Sequence, residues 1–501
     1  MTKRLSKDPD VIPYVIFAGL LFGFAFLLRL PQIFSVSMSG DEPLYGWYAK
    51  RLLTDPGFIF SREISEYHLP TFPALLAIGN FLFPAGFLGY RCCVLLMNMA
   101  GIAAMYALGR RVGGPFVGLI GAALLSYNFL YFHYSTTVMI DGPMTVAVTV
   151  LLWLLAGTDG RSRFVRHVLV GLMAVGILGL KWSGLFVIPW LAVYYSFLPE
   201  EKSWHRKLCL LAIPFSIIAG FLMTIFFVNA LRWGKPFPYY IPSSGGEHFS
   251  GPFWYYFLKQ HSIFMFLHLL PVFYYGLFKL VRNESRYRTL IFSSLGVILA
   301  AVSLFPVKDL RYGLLLVPAM ALTTAMGLDF LVRQMFAREF SLRLARYVCI
   351  FFVLGLCFFY QKKIISMTES NSTVWTGYDE AGAWISQNAK PGTTIVAQMP
   401  RMVRYYTNKE LVEYGGNIAG SSIFKQGFEA LVSGIPGPII LETSFWFEKD
   451  KIDLPSFLAP KKEIAYLQGL GFQLKKEIVR TVYDKNQNRQ ELPVIRIYQR
   501  D

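Results

Sequence analysis

Residues 168–198 read VLVGLMAVGILGLKWSGLFVIPWLAVYYSFL, with Lys181 as the one charged side chain in the run. A membrane crossing takes about 20 apolar residues, so this stretch is too long for one span. KWSG, at 181–184, is the natural place for the chain to turn, which makes two spans of one run. The same reading along the chain predicts eleven spans, at 11–30, 90–109, 115–133, 142–157, 164–180, 183–198, 208–229, 262–280, 289–305, 312–331 and 345–361.

The bulk composition agrees. Of 501 residues, 54% are hydrophobic and only 16% charged, against about a quarter charged in a soluble domain. Mean hydropathy is +0.44. The formal charge of +17 would suggest nucleic acid in a soluble protein. Here the basic residues sit in short loops between apolar runs, which points to membrane orientation and excludes a nucleic-acid partner. The five cysteines (Cys92, Cys93, Cys209, Cys349, Cys357) all lie in apolar runs without metal-ligand spacing, so they read as small buried hydrophobes. No small-residue cleavage signature follows the first run, which is read as a retained span.

Charge bias sets the sidedness. With Lys3, Arg4 and Lys7 cytoplasmic, alternate loops should be basic. They carry Arg110 and Arg111; Arg161, Arg163 and Arg166; Lys202, Arg206 and Lys207; Arg282, Arg286 and Arg288; and Arg333, Arg338, Arg343 and Arg346. An odd number of spans then puts the C-terminus outside. Asp41, Glu42, His68, Asp141, Lys181, Glu247, His248, Lys308, Arg311 and Tyr312 all fall on that outer face, which suggests one site.

Two domains are expected: a transmembrane domain over 1–362 and a soluble α/β domain over 363–501 on the outer face. In the second, GYDEAGAWISQNAKPGTTIVAQ reads as helix, Pro-Gly turn and strand. GPIILETS, GFQLKKEIVRTVYD and LPVIRIYQR read as further strands, and EIAYLQGL as a short helix. The first outer loop, about 42–85, reads as two helices lying at the membrane interface, with Tyr45, Trp47 and Tyr48 suited to that depth.

Two readings compete at each polar candidate. Asp41 and Glu42 in SMSGDEPLYGWYAKRLL fit a helix N-terminus, favoured by capping and the dipole. They equally fit a carboxylate held at the surface to take a proton from an acceptor. Asp141 in MIDGPM is by itself an N-cap with Pro143 just inside its helix, yet both acids start helices on the same expected side. Lys181, Lys308 and Arg311 either snorkel at span ends or meet a lipid phosphate. The long loop carrying Glu247 and His248 is rich in aromatics and glycine, which suits sugars, headgroups and any membrane interface.

In order along the chain, GDEPLYGWYAKRLL, HLPTFPALLAIGNFLFPAG, YRCCVLLMN, MIDGPM, KWSGLFVIP, HFSGPFWYY and LRYGLLLVP resemble the C-type-fold membrane glycosyltransferases. The resemblance is to dolichyl-phosphate-mannose protein mannosyltransferases and bacterial aminoarabinose transferases, and covers most of 1–330. His68 and Leu69 stand where that family has Lys and Pro. The resemblance implies inverting transfer of a monosaccharide from a polyprenyl-phosphate donor to a lipid, glycan or protein acceptor outside the cytoplasm. By that likeness Asp41 is the general base, supported by Glu42, and Asp141 assists. Lys181, Arg311, Lys308, Arg62 and His68 hold the donor phosphate, and Tyr45, Glu247, His248 and Tyr312 meet substrate. No metal-ligand spacing is visible, and metal-independent action is expected, although acids beside a phosphate could also hold a divalent cation. A transporter or a polyprenyl-linked glycan polymerase or ligase is the rival class. The absence of an internal repeat and of mid-span acids argues against the transporter.

Overall fold

The computed structural model describes residues 11–35, 38, 41–61, 64, 69–157, 163–198, 201, 203–235, 252–259, 263–264, 266–282, 286–305, 308–336, 338–372, 377–397, 400–407, 411–413, 432–435, 437–443, 465, 467–483 and 489–500. The chain divides into two compact units. One comprises residues 1–33 and 51–364, the other residues 34–50 and 365–501.

The first unit is helical. Its helices are α1 (Val11–Ser35), the end of α2 (Glu42–Thr54), α3 (Thr71–Leu82), α4 (Phe87–Gly113), α5 (Pro115–Ser126), α6 (Phe129–Tyr134), α7 (Asp141–Leu155) and α8 (Arg163–Leu180). After them come α9 (Val187–Ser196), α10 (Trp204–Trp233), α11 (Leu270–Arg282), α12 (Arg286–Leu304), α13 (Val317–Met335) and most of α14 (Glu339–Ser372). Among the described residues, six helical stretches are long and apolar enough to cross a membrane: Ile12–Phe34, Phe87–Gly113, Trp204–Trp233, Tyr287–Leu304, Leu310–Met335 and Phe340–Gln361.

The other five expected spans are shorter or broken, for visible reasons. The 115–133 run breaks after Ser126, where the Asn128 side chain caps α6 by accepting from the Tyr131 amide. Buried Arg29 of α1 fills that break. It donates to the Ser126 carbonyl and to Ser135 Oγ (2.6 Å), and stacks on Phe132 at 4.5 Å. A buried arginine thereby satisfies backbone that the broken helix leaves bare. Likewise Lys181 is extended, and a 3-10 turn over Trp182–Phe186 separates α8 from α9. The 262–280 run is helical chiefly over α11, after a 3-10 turn at Leu267–Leu269. Within 142–157 and 164–180 the helices α7 and α8 are continuous but short.

Glycines set the closest approaches. A Cβ on Gly118 would lie 2.6 Å from the Tyr106 carbonyl oxygen, which lets α5 lie flat on α4. A Cβ on Gly327 would meet the Val272 carbonyl oxygen at 2.4 Å, and one on Gly276 would meet that of Thr323 at 2.4 Å. This is the small-residue contact by which helices approach in lipid. It seats α13 deep in the unit, where Asp329 pairs with Arg333 (2.6 Å) and with Arg346 of α14 (2.7 Å).

The second unit holds a five-stranded mixed sheet. Its strands are β1 (Ile395–Ala397), β2 (Leu411–Glu413), β3 (Ile439–Thr443), β4 (Gln473–Tyr483) and β5 (Arg489–Gln499), in the order β2-β1-β3-β5-β4. β1 runs parallel to β2 and β3, whereas β5 runs antiparallel to β3 and β4. Strand alternation sends Ile395, Ile439, Ile495 and Ile497 to one face, with Tyr378 and Ile385 of α15 (Tyr378–Asn388) and Met402 of α16 (Pro400–Thr407). Val396, Ile440, Tyr498 and Phe472 fill the other. The strands expected in 395–499 are present, and so are α15 and its Gly392 turn, at φ +78°. α16 and β2 are additions.

Candidate active site

Asp141 opens α7. Its side chain is nearly buried, at 5% exposure, and Oδ1 lies 3.6 Å from Lys181 Nζ. Oδ2 is buried and has no hydrogen-bond partner among the described residues. A buried carboxylate oxygen without a protein donor is costly, and it fits an oxygen that meets water, an ion or a ligand. Next to it, the Asn98 side chain of α4 lies against Gly142, and its Oδ1 is likewise buried without a partner among the described residues.

Lys181 is held by the broken backbone between α8 and α9. Its ammonium also lies over the Tyr312 ring, 4.7 Å from the centroid. Arg311 covers the same ring at 5.3 Å and pairs with Asp309 at 3.0 Å. Asp309 Oδ1 in turn accepts from the Arg311 amide, starting the 3-10 helix Leu310–Leu316. The Tyr256 hydroxyl donates to the Asp309 carbonyl. Two cations against one aromatic ring, beside a half-satisfied carboxylate, can receive an anion and polarise a group near it.

The structure thus brings Asp141, Lys181, Arg311 and Tyr312 together. Lys308 is near them in sequence but differently used. Its ammonium donates to the carbonyls of Val302, Ser303 (2.6 Å) and Phe305, capping the end of α12. Those donors are spent on backbone, so Lys308 is better read as a cap than as the phosphate ligand expected of it.

Asp41, Glu42 and Tyr45 belong to the second unit. Asp41 starts α2, its carbonyl accepting from the Leu44 and Tyr45 amides, and Glu42 is fully buried. Arg62, His68, Glu247 and His248 lie outside the described residues. Asn98 and Asp309 were missed from sequence. Asp309 had a signal, an Asp two residues before Arg at a helix start; Asn98, inside an apolar run, had only its polarity. Among the described residues no three His, Cys, Asp or Glu side chains are placed to hold a metal ion.

Residues 67–233 match the model of the family described as dolichyl-phosphate-mannose-protein mannosyltransferase. The structure superposes on ArnT from Cupriavidus metallidurans in the apo state with a TM-score of 0.68 at 13% identity, covering 97% of this chain and 98% of that one. The chain thus has the fold of ArnT. The form of ArnT bound to undecaprenyl phosphate matches at 0.64 and 14% identity, over 96% of this chain and 97% of that one. The oligosaccharyltransferase AglB from Archaeoglobus fulgidus, in complex with an inhibitory peptide and a dolichol-phosphate, matches at 0.61 and 11% identity, over 94% of this chain and 74% of that one. No match was found among curated protein sequences.

Proposed function

We propose that this protein is an integral membrane glycosyltransferase that moves a monosaccharide from a polyprenyl-phosphate donor to an acceptor outside the cytoplasm. The observation that carries the reading is the Asp141–Lys181–Tyr312–Arg311 cluster, within a fold that matches ArnT along nearly its whole length. The undecaprenyl phosphate and dolichol-phosphate bound by ArnT and AglB are of the donor's chemical class.

In this reading the acceptor hydroxyl attacks the anomeric carbon from the face opposite the phosphate, and configuration inverts. The carbon–oxygen bond to phosphate breaks and its electron pair leaves with the lipid phosphate. Lys181 and Arg311 offset that charge, so no general acid is needed. Asp41 takes the acceptor proton, as a carboxylate base does. Asp141 holds the Lys181 ammonium while its bare oxygen contacts donor or acceptor. The N-terminus is cytoplasmic, and the site and residues 365–501 lie outside.

The test uses purified, reconstituted protein with radiolabelled polyprenyl-phosphate sugars, following label into lipid, glycan or protein. Asp41→Asn should lower kcat by roughly a factor of a thousand, the range of a lost general base. Arg311→Ala should raise the donor KM by about tenfold to a hundredfold, as loss of a charge-assisted contact does. Near-normal turnover in Asp41→Asn would sink the base assignment.

A further inference from the structure

The second unit is assembled from two stretches far apart in the chain, and the shorter, 34–50, carries Asp41 and Glu42. Three contacts tie the two stretches together. Met38 packs against the core formed by Tyr378, Met402, Ile439 and Ile495, and its sulfur accepts from the Tyr406 hydroxyl at 3.6 Å. Arg404 lies over the Trp47 ring, 4.7 Å from the centroid. Lys50 lies over Tyr405 at 5.9 Å.

All three partners come from the single helix α16, sequence PRMVRYYT. Its Met402 and Val403 are buried in the core of the unit. Tyr406 is pressed onto α15, where Gly382 leaves the room: a Cβ there would lie 2.3 Å from the Tyr406 Cβ. The same helix therefore touches both the sheet core and residues 38–50. Its contacts bracket the acidic turn, with Met38 three residues before Asp41 and Trp47 five after Glu42. The Asp41 carbonyl accepts from the Leu44 and Tyr45 amides.

We infer that α16 is the positioning element for the acidic turn, with Arg404 and Tyr406 as positioning residues that set where the Asp41 carboxylate points. This rests on the transfer reading given above, in which Asp41 is the base. A base displaced by even about 1 Å loses much of its advantage, so the clamp acts on turnover and leaves the donor phosphate contacts alone.

The test uses the full-length protein in lipid nanodiscs, as wild type, Arg404→Ala, Arg404→Lys and Met38→Ala. Two readouts are taken: transfer kinetics with binding of polyprenyl phosphate alone, and amide hydrogen exchange by mass spectrometry. Arg404→Ala is expected to lower kcat about tenfold, in keeping with one lost cation–π contact, with phosphate-lipid affinity unchanged. Exchange should rise over 41–50 and stay unchanged over 439–443 and 489–499, the central strands. Arg404→Lys, which keeps a cation over Trp47, should restore most of the turnover. Met38→Ala should loosen the same segment from the other side. The inference is overturned by unchanged exchange over 41–50, by loosened exchange with wild-type kcat, or by kcat and lipid affinity falling together. If wild type moves no sugar from any donor, the transfer reading is what fails, and the exchange arm still decides whether α16 holds the turn.

Discussion

At the end of α12 the Lys308 ammonium reaches three carbonyls that the helix cannot satisfy itself. Its neighbour Arg311, three residues on, instead shares the Tyr312 ring with Lys181. The two cations look alike in the string VKDLRYG, and local backbone divides their tasks. Lys308→Ala should therefore cost about 2 kcal/mol of stability, through carbonyls left without a donor, and leave polyprenyl-phosphate affinity within about twofold. Thermal unfolding in detergent beside lipid titration measures both. The same scale shows what sequence could reveal of the site. Asp141, Lys181, Arg311 and Tyr312 were legible because polar residues at the ends of apolar runs stand out. Asn98 was not, because a single amide within an apolar helix does not announce which neighbour it will lie against.

Elements were legible to a different depth. Hydropathy finds where apolar helices run, and among the described residues each expected span overlaps a helix. It cannot tell an unbroken crossing from one interrupted by a buried arginine, since Arg29 and Asn128 act across 97 or more residues of sequence. The break at KWSG was legible, because the length of the run demanded it. Packing between helices was not. The α11–α13 contact depends on Gly276 and Gly327, which in the sequence look no different from glycines that face open space, such as Gly355. Gly327→Ala should therefore destabilise by about 3 kcal/mol, because its Cβ meets backbone that cannot move aside. Gly355→Ala should be neutral or slightly stabilising, as for a helix glycine with nothing near it. Chemical or thermal unfolding of the two variants in one detergent gives the comparison.

At the scale of the whole molecule, strand alternation in 395–499 made the second unit readable, whereas its inclusion of 34–50 was invisible from sequence. The unit is also pH-sensitive in a definite direction. Lys476 above all, then Arg480, hydrogen-bonds to Glu380 of α15 and holds its carboxyl below the ordinary value of 4.5. The lowered value means the ion pairs stabilise the folded state above about pH 4.5, and that this contribution is lost as pH falls through the folded-state value. Glu380→Gln should lower the melting temperature at neutral pH, and the gap to wild type should close as the pH falls through the folded-state value. A gap that persists undiminished in acid would show that the carboxylate charge is not what matters there.

The 368-residue separation between Met38 and Tyr406 also has a consequence for biosynthesis. Met38 leaves the ribosome long before the helix it rests on, which is made only after the six long apolar helical stretches described above. The closing contact is thus among the most distant in sequence, and such contacts form late. Until synthesis has passed Thr407, the acidic turn has no α16 to rest on. A nascent chain truncated before that point would have its helices but no α16 beside the acidic turn, so under the proposed clamp the order of translation delays turnover until α16 has been made.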